Sequence, residues 1–144
     1  MPSVPEKICR MMLHSTAKEW RERDGRYRLQ GVVCKDCGKK IFPAVETCPY
    51  CHSKNLEKAE FASTGKIVLS PEPLWYPLTG FQELLPQYTA MIQLDDGPFV
   101  CAELVHYPPP AEFKEGTKVE MVLRKLKRED IGNYVYGFKF KIVE

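Results

Sequence analysis

Four cysteines fall into two pairs, Cys34-Lys35-Asp36-Cys37 and Cys48-Pro49-Tyr50-Cys51. Two Cys-x-x-Cys pairs a short loop apart can close a tetrahedral shell of thiolates around one zinc ion with little backbone strain. Each pair needs a sharp turn, so that backbone N–H groups point at the sulfurs. Gly38 supplies a permissive conformation behind the first pair. Pro49 pre-sets a turn inside the second. The spacing predicts a zinc ribbon with two knuckles and with Cys34, Cys37, Cys48 and Cys51 as ligands. Four thiolates leave no open coordination position, so the metal is expected to be structural rather than catalytic. His52 follows Cys51 and is expected beside the site, not in it. A redox motif would bring one pair in a βαβ setting, and disulfides would need an oxidising compartment.

The other residues with chemical potential are scattered. His14, His52 and His106 lie in different segments, and no nucleophile elbow, paired-acid motif or phosphate loop is legible. The chain is therefore expected not to be an enzyme. Cys9 and Cys101 read as small buried hydrophobes. Arg124, Lys125, Lys127 and Arg128 are candidates for binding an anion such as a phosphate. A second group, Arg21, Arg23, Arg26 and Arg28, precedes the cysteines. Acids such as Glu129 and Asp130 dilute the first group, so a solvated hairpin tip is the competing reading.

The elements that must position these residues suggest a mainly β protein. Residues 1–24 read as a short helical arm of two helices, with Ser15 as a cap between them. Residues 25–57 read as the ribbon. In it, Asp24-Gly25 is a turn, Tyr27 to Val33 a strand, and Ile41-Phe42-Pro43 the return strand. Residues 58–144 read as five strands: Phe61 to Ser70, Tyr88 to Leu94, Phe99 to Val105, Val119 to Leu126 and Tyr134 to Val143. Gly65 inside the first suggests a bend or bulge. Five strands with a bend in the first suit a small closed barrel of the OB type. Three prolines in His106-Tyr107-Pro108-Pro109-Pro110 forbid a helix after the third strand and predict an extended loop. The ribbon is too small for its own core, so metal must hold it. The barrel's alternating strands bury their own, so Cys48→Ser is expected to unfold the ribbon and leave the barrel.

The stretch from Pro71 to Gln87 interrupts this pattern. It carries seven large apolar residues among four prolines. A long apolar loop either covers a core edge or meets a partner. Trp75, Tyr76 and Phe81 are the candidate partner anchors, because aromatic side chains dominate interface energetics.

Composition sets outer limits. Hydrophobic residues are 44% and charged residues 28%, as in an ordinary globular protein, and no apolar run is long enough to span a bilayer. The first residues lack the apolar core of a signal peptide. With six cysteines, this points to the cytoplasm and to metal. A net charge of only +2 argues against a protein dedicated to nucleic acid.

Several motifs together resemble those of the acyl-CoA-associated OB-fold proteins, a former domain-of-unknown-function family. They are Tyr27-x-Leu29, Cys34-x-x-Cys37-Gly38, Phe42-Pro43 and Cys48-Pro49-x-Cys51. The resemblance continues through Gly65-Lys66-Ile67, Gln87-Tyr88, Leu94-Asp95-Asp96-Gly97 and Gly116-x-x-Val119. Two departures touch stretches that read as loops: Phe42-Pro43-Ala44-Val45 replaces Phe-Pro-Pro-Arg, and Gln87-Tyr88 replaces Pro-Tyr. The resemblance implies an N-terminal helical arm, a rubredoxin-like zinc ribbon and a C-terminal five-stranded OB-fold. It also implies a non-catalytic companion of a thiolase-type enzyme. In archaeal relatives the companion bridges acetoacetyl-CoA thiolase and hydroxymethylglutaryl-CoA synthase and helps hold CoA or acyl-CoA. The alternative is a single-stranded nucleic-acid binder, since ribbons and OB-folds both occur there and Trp75, Tyr76 and Phe81 could stack on bases.

Overall fold

A computed structural model of the chain describes residues 16–74, 87–106, 114–128 and 134–143. Two short helices, α1 (Thr16–Arg21) and α2 (Arg23–Arg28), lead into a three-stranded antiparallel sheet. Its strands are β1 (Gln30–Cys34), β2 (Lys40–Ile41) and β3 (Leu56–Glu60), in the order β2-β1-β3. Five further strands close a barrel: β4 (Thr64–Leu74), β5 (Gln87–Leu94), β6 (Phe99–Val105), β7 (Lys118–Arg128) and β8 (Tyr134–Ile142). Their order is β4-β5-β6-β8-β7, with β6 and β8 parallel and β4 closing on β7. This is the OB arrangement that the strand pattern predicts. No helix among the described residues is long and apolar enough to cross a membrane.

The helices run further than expected. Residues 23–28 are helical, not a turn at Asp24-Gly25 followed by a strand from Tyr27. The Arg26 amide donates to Glu22 O at 3.0 Å. Asp24 in the first turn and Arg26 and Arg28 in the last complement the helix dipole. The helix stops at Leu29, which is left-handed (φ 51, ψ 36) and fully buried. A non-glycine residue adopts that conformation at a cost, here offset by anchoring its side chain in the core. The Ser15 cap lies outside the described residues.

The ribbon sheet also continues past the boundary expected after residue 57. β3 pairs with β1 from Cys34↔Leu56 to Gln30↔Glu60. Its Glu57, Lys58 and Glu60 are exposed, as befits an edge strand. In the barrel, β4 extends through Pro71 and Pro73 to Leu74, so residues 71–74 are strand rather than loop. β7 pairs with β4 only over Thr64–Lys66, and prolines are tolerated on the edge left beyond it. The irregularities lie between Ile67 and Glu72, not at Gly65. Gly65 has a different role: a Cβ there would sit 2.4 Å from Gln93 O, so the residue permits close strand approach.

Ribbon and barrel share one core. Leu29 and Phe61 belong to the same buried cluster as Ile67, Ile92, Leu94, Val119 and Phe140, with Val33, Phe42 and Ala59 packed against it. Phe42 meets Phe138 edge-on at 5.7 Å between centroids. The Ala62 amide donates to Asp96 Oδ1 at 2.7 Å, and Lys40 Nζ donates to Asp96 O. On the outer wall, Lys139 is buried and pairs with Glu103 at 2.6 Å. The pair stands beside Leu104↔Phe140, where the short parallel seam of β6 and β8 begins. Cys101 was expected to be buried but is exposed. Val100, Ala102 and Leu104 take the inward positions of β6, which turns Cys101 outward, opposite Met91.

Candidate metal centre

The two knuckles have one construction. In the first, the Gly38 amide donates to Cys34 O at 2.8 Å and the Cys34 amide to Lys39 O at 2.9 Å. In the second, the His52 amide donates to Cys48 O and the Cys48 amide to Ser53 O, both at 2.9 Å. Both residues that follow a pair are left-handed, Gly38 at φ 70 and His52 at φ 58. His52 is thus the counterpart of Gly38. It shapes the turn with its backbone while its side chain is exposed. The leading cysteine of each pair, Cys34 or Cys48, is buried, and the trailing one, Cys37 or Cys51, is exposed.

This construction brings the four sulfurs together, all within 4.8 Å of one another. Cys34 Sγ lies 3.5 Å from Cys51 Sγ, and Cys37 Sγ 3.6 Å from Cys48 Sγ. Tetrahedral zinc with bonds of about 2.3 Å needs sulfurs about 3.8 Å apart, so the set fits one zinc ion without rebuilding. The sulfurs' electrostatics fit a cation as well. Burial pushes the Cys48 thiol up, but the amides of Cys51 and Tyr50 and the neighbouring sulfurs outweigh it and hold it at about 7. For Cys51 the Ser53 amide favours the thiolate, yet Cys34, burial and the other two sulfurs push the thiol up to about 12. Crowded thiolates of this kind repel one another until a dication neutralises them. All four proposed ligands occupy the one cluster, which gives a closed structural zinc site.

A polar clip ties the knuckles together. The Asp36 carboxylate accepts from Ser53 Oγ and, at 3.0 Å, from Asn55 Nδ2. The Asn55 amide donates to Ser53 Oγ at 2.9 Å, and the Lys35 amide to Asn55 O at 3.0 Å. These hydrogen bonds, Ser53 first, hold the Asp36 carboxyl below its ordinary range. Sequence reasoning missed this clip. Its signal is an acid between two ligands facing a Ser-x-Asn run just after the second pair.

The other candidate residues are described only in part. Trp75, Tyr76 and Phe81 lie outside the described residues. Of the basic residues, Arg124 stands opposite Gly137 and Lys125 opposite Tyr136, so the two occupy opposite faces of β7. Past a register shift, Lys127 stands opposite Val135 and Arg128 opposite Tyr134. The Arg124 guanidinium donates to His106 Nε2 at 3.0 Å and to Leu123 O at 2.9 Å. Lys125 Nζ sits 3.7 Å above the Tyr134 ring centroid.

Comparison with known proteins agrees with this architecture. The family model described as ChsH2, rubredoxin-like zinc ribbon domain, matches residues 21–57. A DUF35 domain-containing scaffold protein of Pyrococcus furiosus is 37% identical over 130 residues, which cover 87% of this chain and 90% of the relative. One of Methanothermobacter thermautotrophicus is 36% identical over 132 residues, covering 90% of this chain and 98% of the relative. A chain of the solved Ltp2-ChsH2(DUF35) aldolase shares the fold with a TM-score of 0.63 at 19% identity, over 99% of this chain and 98% of that one. With ribbon and barrel aligned almost end to end on such relatives, this chain belongs to the DUF35 family.

Proposed function

We propose that the chain is a non-catalytic accessory subunit that scaffolds a thiolase-type enzyme, in the manner of acetoacetyl-CoA thiolase with hydroxymethylglutaryl-CoA synthase, and contributes to holding CoA or acyl-CoA. The observation that carries the scaffold reading is the alignment, over most of both chains, with proteins named as scaffolds. The fold-level likeness to a chain of a DUF35-containing aldolase supports an enzyme partner. Physical features agree. A four-thiolate site holds structure rather than substrate. One shared core joins ribbon to barrel. The acyl-CoA part follows from the family resemblance of the motifs. Trp75, Tyr76 and Phe81 remain candidate partner contacts on sequence grounds, and the basic residues of β7 candidate anion contacts.

Mixing the purified chain with the thiolase-type enzyme of its own organism tests the reading. A stable complex of fixed stoichiometry on size exclusion is expected. The chain alone should release no thiol from acetyl-CoA or acetoacetyl-CoA. Failure to associate, or thioester turnover by the isolated chain that survives further purification, would overturn it.

A further inference from the structure

The apolar face that fills the barrel does not stop at the barrel's rim. β7 and β8 share it through the opposed pairs Val119↔Ile142, Met121↔Phe140, Leu123↔Phe138 and Lys125↔Tyr136. Directly opposed residues in an antiparallel pair point to the same side. Along this face Val119 and Phe140 are buried, and Met121 and Phe138 are half-buried. Leu123 and Tyr136 are then 45% and 46% exposed, and Tyr134, past the register shift, is 41% exposed. The core face thus emerges as an open aromatic and aliphatic ledge on the β7–β8 hairpin.

Its surroundings make the ledge firm. The ribbon covers its root, where Phe42 packs on Phe138. The opposite face of the hairpin is braced from behind. A Cβ on Gly137 would lie 2.9 Å from Arg26 Cγ of α2 and 2.5 Å from Leu126 Cδ1. A braced apolar surface needs little further ordering when it binds. A contiguous exposed extension of a core is a mark of an interaction site.

The charge on the ledge selects its occupant. Lys125 is half-buried among these side chains, with its ammonium over the Tyr134 ring. An apolar surface that also carries a carboxylate complements it. The same ammonium covers one face of the Tyr134 ring, which opposes base stacking there. We propose that Leu123, Tyr134 and Tyr136 form the surface on which the chain docks its enzyme partner, and that the partner meets Lys125 with an acidic side chain. This rests on the scaffold reading above.

The test is calorimetric titration of the full zinc-loaded chain with the purified thiolase-type enzyme of its own organism. Leu123→Ser, Tyr136→Ser and Lys125→Glu are compared with the unchanged chain, with zinc content and melting temperature as checks on folding. Each variant is expected to weaken binding by about tenfold or more, the range of an interface anchor. Rising salt should weaken the unchanged chain's binding and affect Lys125→Glu less. If Tyr136→Ser lowers the melting temperature, Leu123→Ser decides. Unchanged affinity in all folded variants would overturn the ledge alone. No binding by the unchanged chain would overturn the scaffold reading with it. Binding of a single-stranded oligonucleotide that the variants lose would reassign the surface to nucleic acid and overturn the proposal.

Discussion

Gly38 and His52 perform one backbone task with different side chains, and the difference is measurable. Gly38 at φ 70 has nothing within 4 Å of where a Cβ would sit. Gly38→Ala therefore adds no clash but forces an L-residue into the left-handed region, and should cost about 1 kcal/mol or more. His52 already bears that cost with an exposed side chain, so His52→Gly should be neutral or stabilise by about 0.5 kcal/mol. Thermal melts of the zinc-loaded protein check both, and a loss of zinc with His52→Gly would make the imidazole a ligand after all. Asp36 sets a pH dependence. Its carboxyl is held low in the folded chain, so its stabilisation is present above the unfolded value and lost as pH falls through the folded one. Zinc release runs in the same direction, because protons compete for the thiolates. Asp36→Ala should therefore release zinc at a higher pH than the unchanged chain, as followed with a chromogenic chelator. The four sulfurs were legible because metal geometry constrains sequence spacing directly. The clip was not, because Ser53 and Asn55 acquire meaning only once the knuckles face each other.

At the scale of elements, legibility followed the strength of the apolar alternation. The cores of β5, β6, β7 and β8 were readable because inward and outward positions contrast, as Val100, Ala102 and Leu104 do against Cys101. β3 was not, because an edge strand with two glutamates and a lysine buries little and shows almost no period. α2 was hidden for another reason. Gly25 and Asp24 are turn formers locally, yet a helix is what delivers Leu29 to the core. The end of β4 was obscured by its prolines. Gly31 illustrates how tightly these elements meet. A Cβ there would lie 2.3 Å from Ile41 O and 2.6 Å from Phe61 Cε2. The first obstacle is backbone of the neighbouring strand, which cannot swing away. Gly31→Ala should thus destabilise by about 3 kcal/mol, the upper range for overpacking. A denaturant midpoint measures it, and an unchanged midpoint would mean that β1 and β2 are not held at this spacing.

For the whole molecule, the strand patterns of a ribbon and of a barrel were legible, but the dependence of one on the other was not. Leu29, at the start of the ribbon, and Phe61, just after it, are buried in the barrel's own cluster. Phe42, beside β2, covers Phe138 at the barrel's mouth. Contacts of this range have no periodicity to announce them in a sequence. They change what zinc removal should do. Around the metal the ribbon's own cluster has Val32 and Ile41, with Val45 and Leu56 at its margin, besides its buried cysteines, too little to hold the knuckles without zinc. Its collapse would withdraw Leu29 and Phe42 from the barrel. Leu29 is fully buried, and a side chain of that size contributes about 1.5–3 kcal/mol; the half-buried Phe42 adds less, and together they are a large share of a small domain's stability. Chelation of zinc, or Cys48→Ser, is therefore expected to loosen the barrel as well as the ribbon. Hydrogen exchange at Ile92, Leu104 and Phe140 reads this directly, because their amides lie in the barrel core and away from the metal. They should lose protection together with Val32 and Val33 in the metal-free protein. Full protection of the three barrel amides beside an exchanging ribbon would show that the barrel stands alone and that Leu29 and Phe42 are dispensable to it.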